Sequence, residues 1–222
     1  MPGSTTAPNE MQARPGRPNP PSSRLPAPRR RRQLLDVAVS VFAEKGFHGT
    51  SMDEVAEAAG VTKPVLYQHF SSKRQLYLEL LEEVGSRLVE AVTTAVAGAS
   101  SPRHRVEAGF AAYFRFVRQQ TSAFRLLFGS GRRDEEFNDA VRRVEDVIAN
   151  AVAALIEADL QPEHRQLLGY GIVGLAEVTS RHWVGSWEAD EGDPQDRSDE
   201  ANRLARRVSE VAWAGLRGVR RD

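Results

Sequence analysis

Apolar residues recur at helical spacing along most of this chain, and no segment alternates with the period of two that a half-buried strand needs. Leu34, Ala38, Val41 and Phe42 mark a first helix over about Arg30–Lys45, stopped by Gly46. Phe47 follows as a plug for a small core. A short helix then runs through Asp53–Gly60, and a two-turn helix through Val61–Phe70. In the latter, Val61, Leu66 and Phe70 are spaced to face inward, while Lys63, Val65, Tyr67 and His69 point outward. Tyr77, Leu80, Leu81, Val84, Leu88 and Val92 continue a stripe along a long helix that begins at Ser71 or Ser72 and ends near Gly98. Ser101-Pro102 restarts the chain with a cap and an N1 proline, and an aromatic-rich stretch extends to Gly129. Further helices are predicted over about Asp134–Ala158, Pro162–Trp187 and Ser198–Arg220, with the acidic, Pro194-containing Glu188–Arg197 as a loop. The pattern predicts an all-α chain of about nine helices.

Local signals sharpen the centre of this map. Ser51 and Glu54 have capping-box spacing, as do Ser72 and Gln75. Gly60 suits a left-handed helix end, and the small Ala56 lets the next helix cross closely. Thr62 is positioned to cap that helix, and Pro64 falls in its first turn, where a missing N–H does little harm. The arrangement reads as helix-turn-helix. A two-turn helix is marginal alone and must be held by its neighbours; this one is built to present what it carries.

Phe42, Gly46, Phe47, Thr50, Ser51, Ala56, Ala59-Gly60-Val61, Leu66-Tyr67, His69-Phe70 and Lys73 form a long ungapped pattern. On these residues the stretch Phe42–Lys73 resembles the DNA-binding domain of the TetR family of bacterial transcriptional regulators. The resemblance covers roughly the first third of the chain; beyond it the likeness is architectural. It implies a homodimer on a palindromic operator in double-stranded DNA, most often a repressor released by a small effector. It puts Lys63, Val65, Tyr67 and His69 at base-edge or adjoining phosphate positions, flanked by Thr62, Pro64 and Gln68, and Thr50, Ser51 and Lys73 at phosphates. Lys73 also stands at the positive end of a helix dipole, a conflict that a nearby phosphate would resolve.

Charge changes the picture at the N-terminus. Net charge is zero over 222 residues, but residues 1–78 carry eleven Lys/Arg against six Asp/Glu. Residues 1–28 hold eight of the twelve prolines and are expected to be a disordered arm. Arg29, Arg30, Arg31 and Arg32 follow, read either as a basic element reaching phosphates or the minor groove, or as a solvated tail. The expected division is arm 1–28, helix-turn-helix domain 29–75, and effector-binding and dimerisation domain 76–222. The absence of cysteine excludes disulfides and thiol chemistry. Neither a signal peptide nor a membrane-length apolar run is present, which fits a cytoplasmic protein.

In the body, Gly169-Tyr170-Gly171-Ile172-Val173-Gly174 spells the dinucleotide fingerprint but lies inside a helix, not after a strand. Close helix packing is the better account. Gly171 and Gly174, with Leu204, Val208, Val211 and Leu216, suit a dimer interface or packing within one chain. The aromatic cluster is core or an apolar pocket; as a pocket, Phe110, Phe114, Phe128, Phe137, Val141 and Trp183 would be walls and Thr179, Ser180 and His182 polar anchors. The five histidines show no H-x-x-x-H pair, and no nucleophile elbow or Walker loop occurs. No catalytic residue, metal or cofactor is therefore expected. The alternative to an effector-released repressor is a constitutive DNA-binding dimer, or an activator, with no effector pocket.

Overall fold

A computed structural model describes residues 26–129, 135–157, 159–187 and 194–219. These form nine helices and no strand: α1 (Ala27–Gly49), α2 (Met52–Ala58), α3 (Lys63–His69), α4 (Lys73–Ala97), α5 (Pro102–Gln119), α6 (Thr121–Phe128), α7 (Glu135–Ala154), α8 (Pro162–Ser186) and α9 (Pro194–Gly218). The expected all-α architecture stands. Of the expected arm, residues 1–25 lie outside the described residues.

Boundaries moved where backbone detail overrides periodicity. Gly46 has φ 70° and ψ 176°, a conformation nearly closed to other residues, so α1 breaks there as expected and turns into Phe47–Gly49. The aromatic stretch after Pro102 is two helices, separated at Gln120 (φ −126°, ψ 46°). α7 stops short of the predicted Ala158, its end tightened by i to i+3 bonds from Leu155 and Ile156 to Val152 and Ala153. Pro194 opens α9 rather than interrupting a loop, because a first-turn proline gives up no intrahelical bond.

One continuous apolar cluster runs from Leu34 to Ala212. α4 is its axis: Leu76, Leu80, Leu81 and Val84 are fully buried, and the helix packs against α1, α5, α6 and α7. α1 is tied to α4 by Arg87, which reaches Asp36 at 2.6 Å and Glu83 at 2.8 Å. Farther along, α5 packs on α9 and α7 on α8. Two glycines set close approaches: a Cβ on Gly85 would collide with the Val144 side chain of α7, and one on Gly169 with the Ala149 backbone oxygen.

That second contact is rigid on both sides. Gly169→Ala should therefore cost about 1–3 kcal/mol in chemical denaturation, despite alanine's better helix propensity. An unchanged midpoint would show that α7 and α8 do not meet so closely.

Candidate nucleic-acid interface and ligand cavity

α2 ends in a Schellman turn. The Val61 amide donates to the Ala56 carbonyl and the Gly60 amide to that of Glu57, both at 3.0 Å, while Gly60 takes φ +63°. At the other end of α2 the capping box is complete: the Ser51 hydroxyl accepts from the Glu54 amide at 3.2 Å, and the Glu54 carboxylate accepts from the Ser51 amide at 2.7 Å. Lys45 adds an ion pair to Glu54 at 2.6 Å. Chiefly through Lys45, then Ser51, the Glu54 carboxyl falls from its ordinary 4.5 to about 2.

Held by that frame, α3 divides as expected. Leu66 and Phe70 are fully buried; Lys63, Pro64, Tyr67 and Gln68 are exposed, and Val61, Val65 and His69 half-buried. Thr62 stands at the N-cap, but its side chain makes no capping bond. Lys63 is not loose: its ammonium donates to Asp53 of α2 at 2.9 Å, which raises its pKa.

Four expectations around this surface need correction. Thr50 is only 2% exposed, and its hydroxyl donates to the Gly46 carbonyl at 2.8 Å, so that hydrogen is not available to a phosphate. Lys73 donates to the carbonyls of Phe47 at 2.7 Å and Thr50 at 2.8 Å, with its ammonium 4.3 Å from the Phe47 ring centre. The dipole conflict is thus resolved within the protein, and the argument from it to a phosphate falls. Ser72 accepts from the Gln75 amide at 3.1 Å, but Gln75 returns to Ser71 instead, at 2.7 Å, so the second box is offset by one residue. All four arginines lie in α1, which begins at Ala27 rather than near Arg30. Arg31 pairs with Glu79 and stacks 4.6 Å over Phe70; Arg32 stands 4.0 Å from Glu83, Arg30 donates to Gln33 at 2.9 Å, and Arg29 is exposed.

In the far half of the body a cavity of about 350 Å³ lies among α4, α5, α7, α8 and α9, closed toward α6 by Phe128. Aliphatic and aromatic side chains make up most of its wall, including Leu88, Val92, Val152, Ile172 and Trp213. Arg105, Glu157 and Arg217 are its charged groups, and Arg105 meets Glu157 at 2.5 Å. Of the expected pocket residues only Phe110 and Phe128 line it. Phe114 and Trp183 pack on each other, centroids 6.1 Å apart, in the core. Phe137 sits between Phe47 and Tyr77, at 4.5 and 4.8 Å. Val141 and Ser180 are buried away from the cavity. Thr179 bonds back to the Leu175 carbonyl at 2.6 Å, and His182 faces outward. The helical period grouped these residues by face but not by neighbour. Arg105 had a signal that sequence reading missed: it shares an i, i+4, i+8 row with Gly109 and Tyr113, a cation on an otherwise inward stripe.

The expected dimer residues also divide. A Cβ on Gly171 or Gly174 would meet nothing, and Val211 is 64% exposed. On the same row of α8 as the glycines, Leu167 and Val178 are 68% and 62% exposed. Val208 is buried, Leu216 lines the cavity and Leu204 is half-buried against the core, so these three face inward. No group of residues among those described has the makings of a metal site, and no described helix is long and apolar enough to cross a membrane.

The sequence model for bacterial regulatory proteins of the tetR family matches residues 34–80. The HTH-type transcriptional activator FasR of Mycolicibacterium smegmatis is 33% identical over 217 residues, covering 96% of this chain and 95% of that protein. The HTH-type transcriptional repressor KstR2 of Rhodococcus jostii is 28% identical, covering 86% of this chain and 80% of its own. Among solved structures, a TetR-like transcriptional regulator from Rhodococcus sp. RHA1 is 30% identical and superposes with a TM-score of 0.63 over 88% of this chain and 100% of that one. FadR from Bacillus subtilis, solved in complex with stearoyl-CoA, shares the fold at 17% identity and a TM-score of 0.67, over 85% of this chain and 99% of its own.

Two outcomes follow from the bonds at the α2 corner. Lys73→Ala should lower unfolding stability by about 2–3 kcal/mol, since it removes two charge-assisted hydrogen bonds and a cation–π contact. Unchanged stability with a shallower salt dependence of DNA binding would return Lys73 to a phosphate role. The depressed Glu54 carboxyl stabilises the α2 cap above its ordinary value, and that contribution is lost as pH falls from about 4.5 to about 2. Amide exchange at Glu54 should accelerate, relative to its intrinsic rate, over that window before Leu66 does.

Proposed function

The chain belongs to the tetR family of bacterial regulatory proteins, a DNA-binding transcriptional regulator, and from that premise we propose how it is built to work. Residues 29–75 act as the reading domain and residues 76–222 as the effector-binding and dimerisation domain. Two copies associate through the outer row of α8 and the exposed face of α9, where Gly171, Gly174, Val178 and Val211 offer an apolar surface open to close approach. A two-fold axis gives a palindromic operator, its half-sites about one helical turn or a multiple apart. α3 enters the major groove with Lys63, Tyr67 and Gln68 exposed and with Val65 and His69 beside them. Arg29 and the Ser51 corner are left for the phosphates, along with Thr62 and Pro64 at the start of α3.

The cavity is the observation that carries the regulatory half of the proposal. A preformed apolar space of about 350 Å³ lies in the range of small-molecule sites and speaks against a body used for dimerisation alone. Its wall suits an alkyl chain, and Arg105 and Arg217 suit an anionic head. The stearoyl-CoA held by the Bacillus subtilis FadR, which shares the fold, has that chemistry. α4 lines the cavity from Leu88 to Val96 and begins in the reading domain at Lys73, so a ligand that favours one tilt of α4 changes head spacing. On this reading the ligand releases a repressor from its operator; the name of the KstR2 relative, a transcriptional repressor, supports the repressing sign. The activator FasR supports the opposite sign, which depends on where the operator lies.

Selection from random duplex DNA by the full chain should enrich a palindrome, and adding stearoyl-CoA should weaken or strengthen binding to it at least tenfold. Lys63→Ala should relax base preference at one position per half-site, costing about 1–3 kcal/mol there. Featureless enrichment, or indifference to Lys63, would count against the reading of α3.

A further inference from the structure

The cavity is apolar except at its mouth and at the end nearest the reading domain. Tyr113 of α5 lines that inner end with Phe128 and Ala176. Ser180 lies one turn beyond Ala176 on α8, fully buried. The Tyr113 side chain is buried, and Ser180 is the neighbour that partly offsets the rise burial causes in its pKa. Yet neither hydroxyl makes a well-formed hydrogen bond among the described residues.

This is unusual for a helical hydroxyl. Thr93 of α4 and Thr179 of α8, two of the helices that wall the cavity, return their hydrogens to the Val89 and Leu175 carbonyls, at 2.8 and 2.6 Å. Ser180 could satisfy itself in the same way and does not. Two orphaned hydroxyls, Tyr113 on the cavity wall and Ser180 behind it, carry a desolvation penalty that a bound oxygen would relieve.

We propose that Tyr113, backed by Ser180, forms a hydrogen-bonding subsite at the inner end of the cavity, selecting effectors whose apolar chain ends in an alcohol or carbonyl oxygen over plain alkyl chains of equal length. The inference rests on the cavity being the effector site. Tyr113 stays protonated, since burial raises its pKa, and donates to the ligand oxygen. Ser180 donates to the Tyr113 oxygen, so both hydrogens find acceptors in one chain. A terminal methyl leaves the Tyr113 hydrogen without an acceptor and discriminates against itself.

The test is calorimetric titration of the full chain with dodecanoic, tetradecanoic and hexadecanoic acids and their ω-hydroxy counterparts, so that one length brings the terminal oxygen to Tyr113. At that length the hydroxy acid should bind about tenfold more tightly than the plain acid. Tyr113→Phe should abolish the preference, bringing the ratio of the two affinities to about one, and should not lower the unfolding midpoint, because the hydroxyl it removes makes no well-formed hydrogen bond in the free protein. Equal or weaker binding of the hydroxy acid at all three lengths, or a preference that survives Tyr113→Phe, would overturn the subsite. Binding by no acid of either series would instead overturn the apolar-effector reading, and the subsite with it.

Discussion

The break at Gly46 turns the chain sharply between α1 and α2 and leaves the carbonyls of Phe47 and Thr50 gathered at one corner. The Lys73 ammonium lies between them, over the Phe47 ring. That single charge joins the start of α4 to the start of α2, and Thr50 braces the same corner by bonding back to Gly46. The position of α3 follows from it. α2 is fixed by the corner at one end and by the Schellman turn at the other, and α3 hangs from that turn with two buried anchors, Leu66 and Phe70. A helix this short has no independent stability. Its presentation of Lys63 and Tyr67 depends on contacts made by residues on its buried side.

Charge is handled differently on the two sides of the head. On the inner side, Arg31, Arg87 and Lys73 are partly buried and multiply bonded, so each holds helices together. On the outer side, Lys63 and Asp53 form an exposed pair, worth little as a stabiliser because water and salt screen it. The cations that bind a polyanion must be released cheaply by the protein, and the exposed pair meets that condition where the buried ones do not.

The features legible in the sequence were those set by near neighbours. The Ser51 cap, the breaks at Gly46 and Gly60, and the inward Leu66 and Phe70 depend on residues within a few positions, and all stand in the structure. Illegible were contacts made across the fold. Lys73 meets carbonyls more than twenty positions away. Phe137 was grouped with a pocket but fills the joint beside Phe47. Leu88 and Val92 were read as part of an inward stripe yet border a void, because periodicity says which side chains face inward and nothing about whether the space they face is filled.

α7 touches both ends of the molecule. Near its start Phe137 is wedged against Phe47 and Tyr77; near its end Val152 borders the cavity; between them Val144 sits against Gly85 of α4 with no room for another atom. A rigid rod pinned at one point is a lever. The arms, seven residues to Phe137 and eight to Val152, are about 10 and 12 Å at the helical rise. With arms so nearly equal, a push that moved Val152 aside by about an ångström would swing Phe137 about as far the other way, against Phe47 and Tyr77.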